Sequence, residues 1–191
     1  CQKEICDVLK GQKLIKDDAS DDGRVDIVAV DSQSVFETLD RVLKAPMAVL
    51  ASLKLLGKDS PAEEDMLERL QVKASEALTA TAMLKEFCEG HNHEFQEVIR
   101  EQPDQSISYN LLRTTTLAIS TFMKEERLIS QHLNDDLIDY LIACLDLLAE
   151  SMLGPCPANQ ELVVTSDAIQ GIQMMVNADL DAYPAVTDVA K

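Results

Sequence analysis

The chain has 191 residues, with 17 lysines and arginines against 34 aspartates and glutamates, a formal net charge of −17. A surface field of that sign repels phosphate backbones and anionic lipid, which excludes nucleic acid and a membrane surface as partners and favours cations or basic ones. Apolar residues make up 46% and aromatic ones 4%, so the composition is not that of a disordered chain, and its Leu and Ala content favours helices.

Residues 1–30 are charged, and DDASDDGRVD reads as an acidic flexible linker. Asp18, Ser20, Asp22, Gly23 and Asp26 take positions 1, 3, 5, 6 and 9 of an EF-hand-type loop, but Ala29 stands where the bidentate Glu belongs, so the solvated linker is the better reading. No signal peptide is visible, and the longest apolar run, near Leu137, is interrupted by Asp139 and Asp146, which leaves no segment able to span a bilayer. Cys1 in place of an initiator methionine reads as a piece of something larger. Cys1, Cys6, Cys88, Cys144 and Cys156 are an odd set without paired spacing, which points to a reduced cytosolic setting.

Helical signals fill the remainder. Val35, Leu39 and Val42 share one face; Pro46 is expected to restart the helix and Gly57 to close it. Ser60, Pro61, Glu63 and Glu64 form a start signal for a helix from about Pro61 to Glu89, with a seam of Leu67, Leu70, Ala74, Ala77, Thr81, Leu84 and Cys88. A short helix is expected from Glu94 to Gln102, ending before Pro103. Leu111, Leu112, Thr115, Ala118, Ile119, Phe122 and Met123 define another at period 3.6. Asn134 caps the next, whose expected core face is Ile138, Leu141, Ile142, Leu145, Leu148 and Met152, ended by Gly154 and Pro155. A last helix is placed from Ser166 to about Val176. These elements imply an all-α fold, an antiparallel helical stack built either as a bundle or as part of an α-solenoid.

No glycine-framed serine, phosphate-cradling loop or oriented Cys–His arrangement appears, so an enzyme is not expected. Cys88, His91 and His93 have the spacing to seed a zinc site, with Cys156 as a distant addition, but a closed site needs four ligands and a buried Cys88 in a helix junction is the better reading. The acids are more informative. Glu89 before Gly90, and Glu150 four residues before Gly154, fall in last helical turns, where the dipole disfavours a carboxylate by about 0.3–1 kcal/mol and favours a cation. Asp146 and Glu150 add a like-charge i,i+4 pair. Two carboxylates beside orphan helix-end carbonyls would suit a hard cation such as Ca²⁺.

LKEFCEGHNHEFQEVIREQ, then SYNLL, then LLAESMLGPCPANQ, within about Leu84 to Val176, resemble in order the RIH-associated domain region shared by ryanodine receptors and inositol trisphosphate receptors. The connection from Arg100 to Asn134 and the YNL at Tyr109 to Leu111 are closer to the inositol trisphosphate type, whereas CEGHN itself is ryanodine-like. The resemblance implies an armadillo-like α-solenoid segment, with 84–177 as the RIH-associated-like domain; composition and helical signals make 1–30 a linker, 31–83 upstream helices that match no family motif, and 178–191 a tail. It further implies a homotetrameric calcium-release channel, with this segment on the cytosolic face of the endoplasmic reticulum membrane, itself not inserted, and in contact with other channel domains and neighbouring subunits. It maps the two Ca²⁺ glutamates of the family onto Glu89 and Glu150 and a neighbouring histidine onto His91, in a site that this segment leaves incomplete. Leu153 stands where the ryanodine-type pattern has glutamine. The rival readings are a stand-alone acidic helical scaffold for protein–protein interaction and a Ca²⁺ buffer working through the Asp18 to Ala29 loop.

Overall fold

A computed structural model of the chain describes residues 32–56, 61–125 and 134–177. The linker with its EF-hand-like loop, Gly57, Ser60 and the tail lie outside the described residues. Those described form seven helices and no strand: α1 (Ser32–Leu53), α2 (Pro61–Cys88), α3 (His93–Val98), α4 (Leu111–Met123), α5 (Asp135–Met152), α6 (Pro157–Thr165) and α7 (Ala168–Asn177). The expected all-α class is thereby met.

The long α2 is the centre of the packing, touching α1 and, most extensively, α5. Its predicted seam is buried from Leu70 through Ala74, Ala77, Thr81 and Leu84 to Cys88, with Leu67 half-buried. Ala74 and Ala77 expose nothing, and small side chains at mid-helix let a neighbouring backbone approach. The Thr81 hydroxyl donates to the Ala77 carbonyl at 2.7 Å, so its burial leaves no orphan donor. α4 buries every residue named for it by period 3.6, and Asn110 caps its start by accepting from the Arg113 amide at 2.7 Å. One core cluster joins Leu70, Leu112, Ile119, Phe122, Tyr140 and Leu148; a second gathers Phe36, Leu84, Cys88, Phe95, Leu111 and Leu147 around the C-terminal part of α2. Between α1 and α4 the buried Asp40 is doubly satisfied, by the Thr114 hydroxyl at 2.7 Å and the Lys44 ammonium at 2.6 Å.

Four expectations are corrected. Pro46 does not restart a helix: α1 runs through it, and the helix tolerates the lost N–H because the residue is buried inside an amphipathic element that tertiary packing holds. α5 buries Leu141 and Leu148 as expected, with Leu145 and Met152 packed against the core, but its inward face is turned to include Leu137, Tyr140, Cys144, Leu147 and Ser151 and leaves Ile142 48% exposed. That helix is apolar on more than one side, so period alone does not choose between them. Tyr140 decides it, meeting Phe122 edge-on at 6.1 Å while its hydroxyl donates to the Leu43 carbonyl at 3.3 Å. The segment after Gly154 is not merely a terminator: α6 starts there, with Pro157 in the first turn where its missing N–H costs nothing. Finally, α3 closes at Val98, and α7 opens at Ala168 because Ser166 caps α6, its hydroxyl donating to Val163 O at 2.7 Å.

Candidate functional site

α2 and α5 end against each other. α2 leaves its helical path through Gly90 (φ 71°) and His91 (φ 58°), and α5 through Gly154 (φ 82°). Glycine supplies this left-handed geometry without a Cβ penalty; His91 adopts it as a side-chain-bearing residue. The His91 ring lies over Gly154, where an added Cβ would sit 3.5 Å from Nδ1. His93 reaches across as well, with Nε2 at 3.0 Å from the Pro155 carbonyl, a contact that requires the proton on Nε2.

The carbonyls at these helix ends are taken up by side-chain amides. A helix C-terminus leaves its last four C=O groups without intrahelical donors. Here Gln96 Nε2 donates to Glu150 O at 2.8 Å and Leu153 O at 2.9 Å. Gln160 Nε2 donates to Met152 O at 3.0 Å and Gly154 O at 3.1 Å. Asn159 Nδ2 donates to Ser151 O at 3.0 Å and to Gln96 O at 2.8 Å, while its Oδ1 accepts from Arg100 Nε at 2.9 Å. On the other side, Asn92 Nδ2 donates to Phe87 O at 3.1 Å. Asn159 and Gln96 are wholly buried, so these are bonds made out of water, where an unmade one is expensive. Gln96 Oε1 is the exception, a buried acceptor without a hydrogen-bond partner.

Gln102 closes the following loop in the same manner. Its Oε1 accepts from the Tyr109 amide at 2.7 Å and its Nε2 donates to Val98 O and Tyr109 O, which brings the chain back to the cap of α4. The amides of CEGHN, FQ, RxQ and NQ thus serve one purpose, fastening turns to helix ends. Sequence reasoning quoted these residues without seeing that role. The signal was available, since Asn and Gln flanking two adjacent helix termini are the side chains able to donate to orphan carbonyls.

The predicted ligands fall in this junction. Glu89 is the first residue beyond α2, with its side chain 43% exposed, and Oε1 accepts from Lys85 Nζ at 2.5 Å. Lys85 also reaches Glu86 Oε1 at 3.3 Å; the bond to Glu89 first, then that to Glu86, holds its ammonium above the usual lysine range. Glu150 is half-buried in the last turn of α5, and its main-chain oxygen receives Gln96. His91 is exposed, on Gly154. The turns bearing all three residues are therefore brought together. Of the orphan carbonyls expected beside them, those from Glu150 to Gly154 and that of Phe87 already accept from side-chain amides. Cys88 and Cys156 are buried thiols, and among the described residues no group of three or more His, Cys, Asp or Glu is placed to hold a metal ion.

One other group has the chemistry to react. Cys144 is buried against Tyr140 and Thr81, and loss of hydration pushes its thiol up to about 12, so it stays neutral near pH 7. No helix among the described residues is long and apolar enough to cross a membrane.

Comparison with known families places residues 72–176, more than half of the chain, on the family model described as RyR and IP3R Homology associated. No curated protein matches the chain and no solved structure matches it. The matched span contains Glu89, Glu150 and every amide of the junction.

Proposed function

This chain belongs to the RyR and IP3R Homology associated family, and from that premise we propose that it is a cytosolic regulatory and coupling module of a homotetrameric calcium-release channel of the endoplasmic reticulum, not an enzyme. The family match over residues 72–176 carries this reading. In it, the helices are a segment of an antiparallel, armadillo-like stack whose neighbours are other channel domains and adjacent subunits, and whose acidic surface keeps it off lipid and nucleic acid.

Glu89 and Glu150 would hold Ca²⁺ with their carboxylates, completed by oxygen ligands outside the described residues. Bound there, the ion supplies a cross-link between the ends of two helices. The chain's own residues do the rest. Gln96, Asn159 and Gln160 fix the end of α5, and Asn92 fixes the turn after α2, so the two carboxylates start from turns already held in place. The His91 ring fills the space over Gly154 and keeps the turns in register. Coupling then requires only that the pair bind Ca²⁺ more tightly in one of two channel states, since a ligand shifts an equilibrium by no more than its differential affinity.

Glu89→Gln and Glu150→Gln, made singly in the full-length protein, are expected to raise the Ca²⁺ concentration for half-maximal channel activation while leaving assembly intact. Unchanged Ca²⁺ activation in both variants refutes the site. Failure of the full-length protein to conduct Ca²⁺ at all supports the rival reading, an acidic helical scaffold.

A further inference from the structure

Given the calcium reading of Glu89 and Glu150, on which this rests, we propose that Lys85 is an internal competing cation that sets the Ca²⁺ affinity of the site. The geometry is specific. Lys85 stands one turn before Glu89 on α2, and its ammonium donates to Glu89 Oε1 at 2.5 Å, so one of the two carboxylate oxygens that a metal would use is already engaged by a positive charge. The helix end helps to hold it there, because a cation in the last turn is favoured by the partial negative charge of the terminal carbonyls.

The contact is built to be exchanged. The Lys85 and Glu89 side chains are 27% and 43% exposed, so solvent screens their attraction. Their order along the helix, Lys before Glu at i,i+4, is the weaker of the two orientations. Lys85 also has a second acceptor within reach, Glu86 Oε1 at 3.3 Å, on a carboxylate that is 64% exposed. Once Glu89 turns to a divalent ion, the ammonium keeps a partner without leaving its place, and the exchange costs only the difference between two ion pairs. Glu150 meets no such cation among the described residues, so the two carboxylates are unequal: one is open to a metal and the other is held in reserve behind Lys85.

Five variants of the full-length protein, Lys85→Gln, Lys85→Arg, Glu89→Gln, Glu89→Gln with Lys85→Gln, and Glu150→Gln, test this by equilibrium Ca²⁺ binding and by Ca²⁺-activated flux from vesicles, which are expected to shift together. Lys85→Gln is expected to lower the half-activating Ca²⁺ concentration about two- to fivefold, the range of an exposed ion pair. Lys85→Arg, which keeps the charge, should stay near the parent. In a Glu89→Gln background the Lys85→Gln effect should vanish, because the carboxylate through which Lys85 acts is gone. An equal shift with and without Glu89 would mean that Lys85 acts only through the general field, and the inference falls. No shift in Lys85→Gln, with Glu150→Gln still raising the half-activating concentration, overturns the role of Lys85 and leaves the site standing. No shift in any variant, Glu150→Gln included, removes the site and this inference together.

Discussion

The apolar core between α2, α4 and α5 and the buried heart of the junction where α2 and α5 end, Gln96 and Asn159, are both closed to water, but opposite chemistries close them. In the core, Leu112, Ile119 and Phe122 are held by area and shape, and a neighbour of similar volume could replace any of them at modest cost. In the junction, Gln96 and Asn159 are held by direction: each donor meets a named carbonyl, and no residue of equal volume substitutes. Volume and shape therefore decide how the helices pack in the core, whereas bond direction decides where the two helix ends sit in the junction.

Substitutions sharpen this contrast. Phe122→Ala, at a fully buried ring in edge contact with Tyr140, should cost the most, about 3–5 kcal/mol in denaturant unfolding, with a volume-conserving Phe122→Leu costing far less. Asn159→Leu nearly conserves volume, yet should cost about 2–3 kcal/mol, because it strips donors from the Ser151 and Gln96 carbonyls and an acceptor from Arg100. If it proves as mild as a volume-conserving core change, the contrast between the two regions collapses. Alkaline pH separates them in another way. The Cys144 thiol is raised in the folded state to about 12 from an ordinary 9.0, so the stability it contributes is complete below pH 9 and is lost as pH rises toward 12. At pH 10, one unit above the free thiol, the loss is about 1.4 kcal/mol. Melting curves should show a smaller decline in Cys144→Ala than in the parent, the remainder coming from Tyr140, whose hydroxyl is held by burial well above the usual tyrosine range, while Asn159 variants, having no titrating group at the site, should decline in parallel with the parent. Least of all, Gly154→Ala should cost about 1 kcal/mol through its positive φ; the His91 ring, at ordinary contact distance, adds little.

How much of each region could be read in advance follows the same division. Helical period identifies the seam of α2 and the buried face of α4 because long amphipathic elements repeat one signal many times. It succeeds only in part on α5: Leu141 and Leu148 are buried as expected, but Ile142 and Tyr140 compete for the inward side and only the partner, Phe122, decides between them. It also passes over Pro46, since the rule against proline describes an isolated helix and not one pinned by its neighbours. The junction carries no period. Its residues are recognisable by identity, as a resemblance, but that Asn159 joins Ser151, Gln96 and Arg100 depends on a fold that brings segments 59 and 63 positions apart into contact. Dipole reasoning marks Glu89 as a place for a cation, and Lys85 Nζ lies against its carboxylate.

The amides of the junction have a mechanical consequence. Gln96 grips the main chain of α5 rather than its side chains, and Asn159 grips the main chain of both α5 and α3. A displacement of α3 thus reaches the axis of α5 through bonds that neither salt nor moderate pH loosens, and little is lost to side-chain slack. The corner behaves as a welded bracket, in which tilting one arm turns the other.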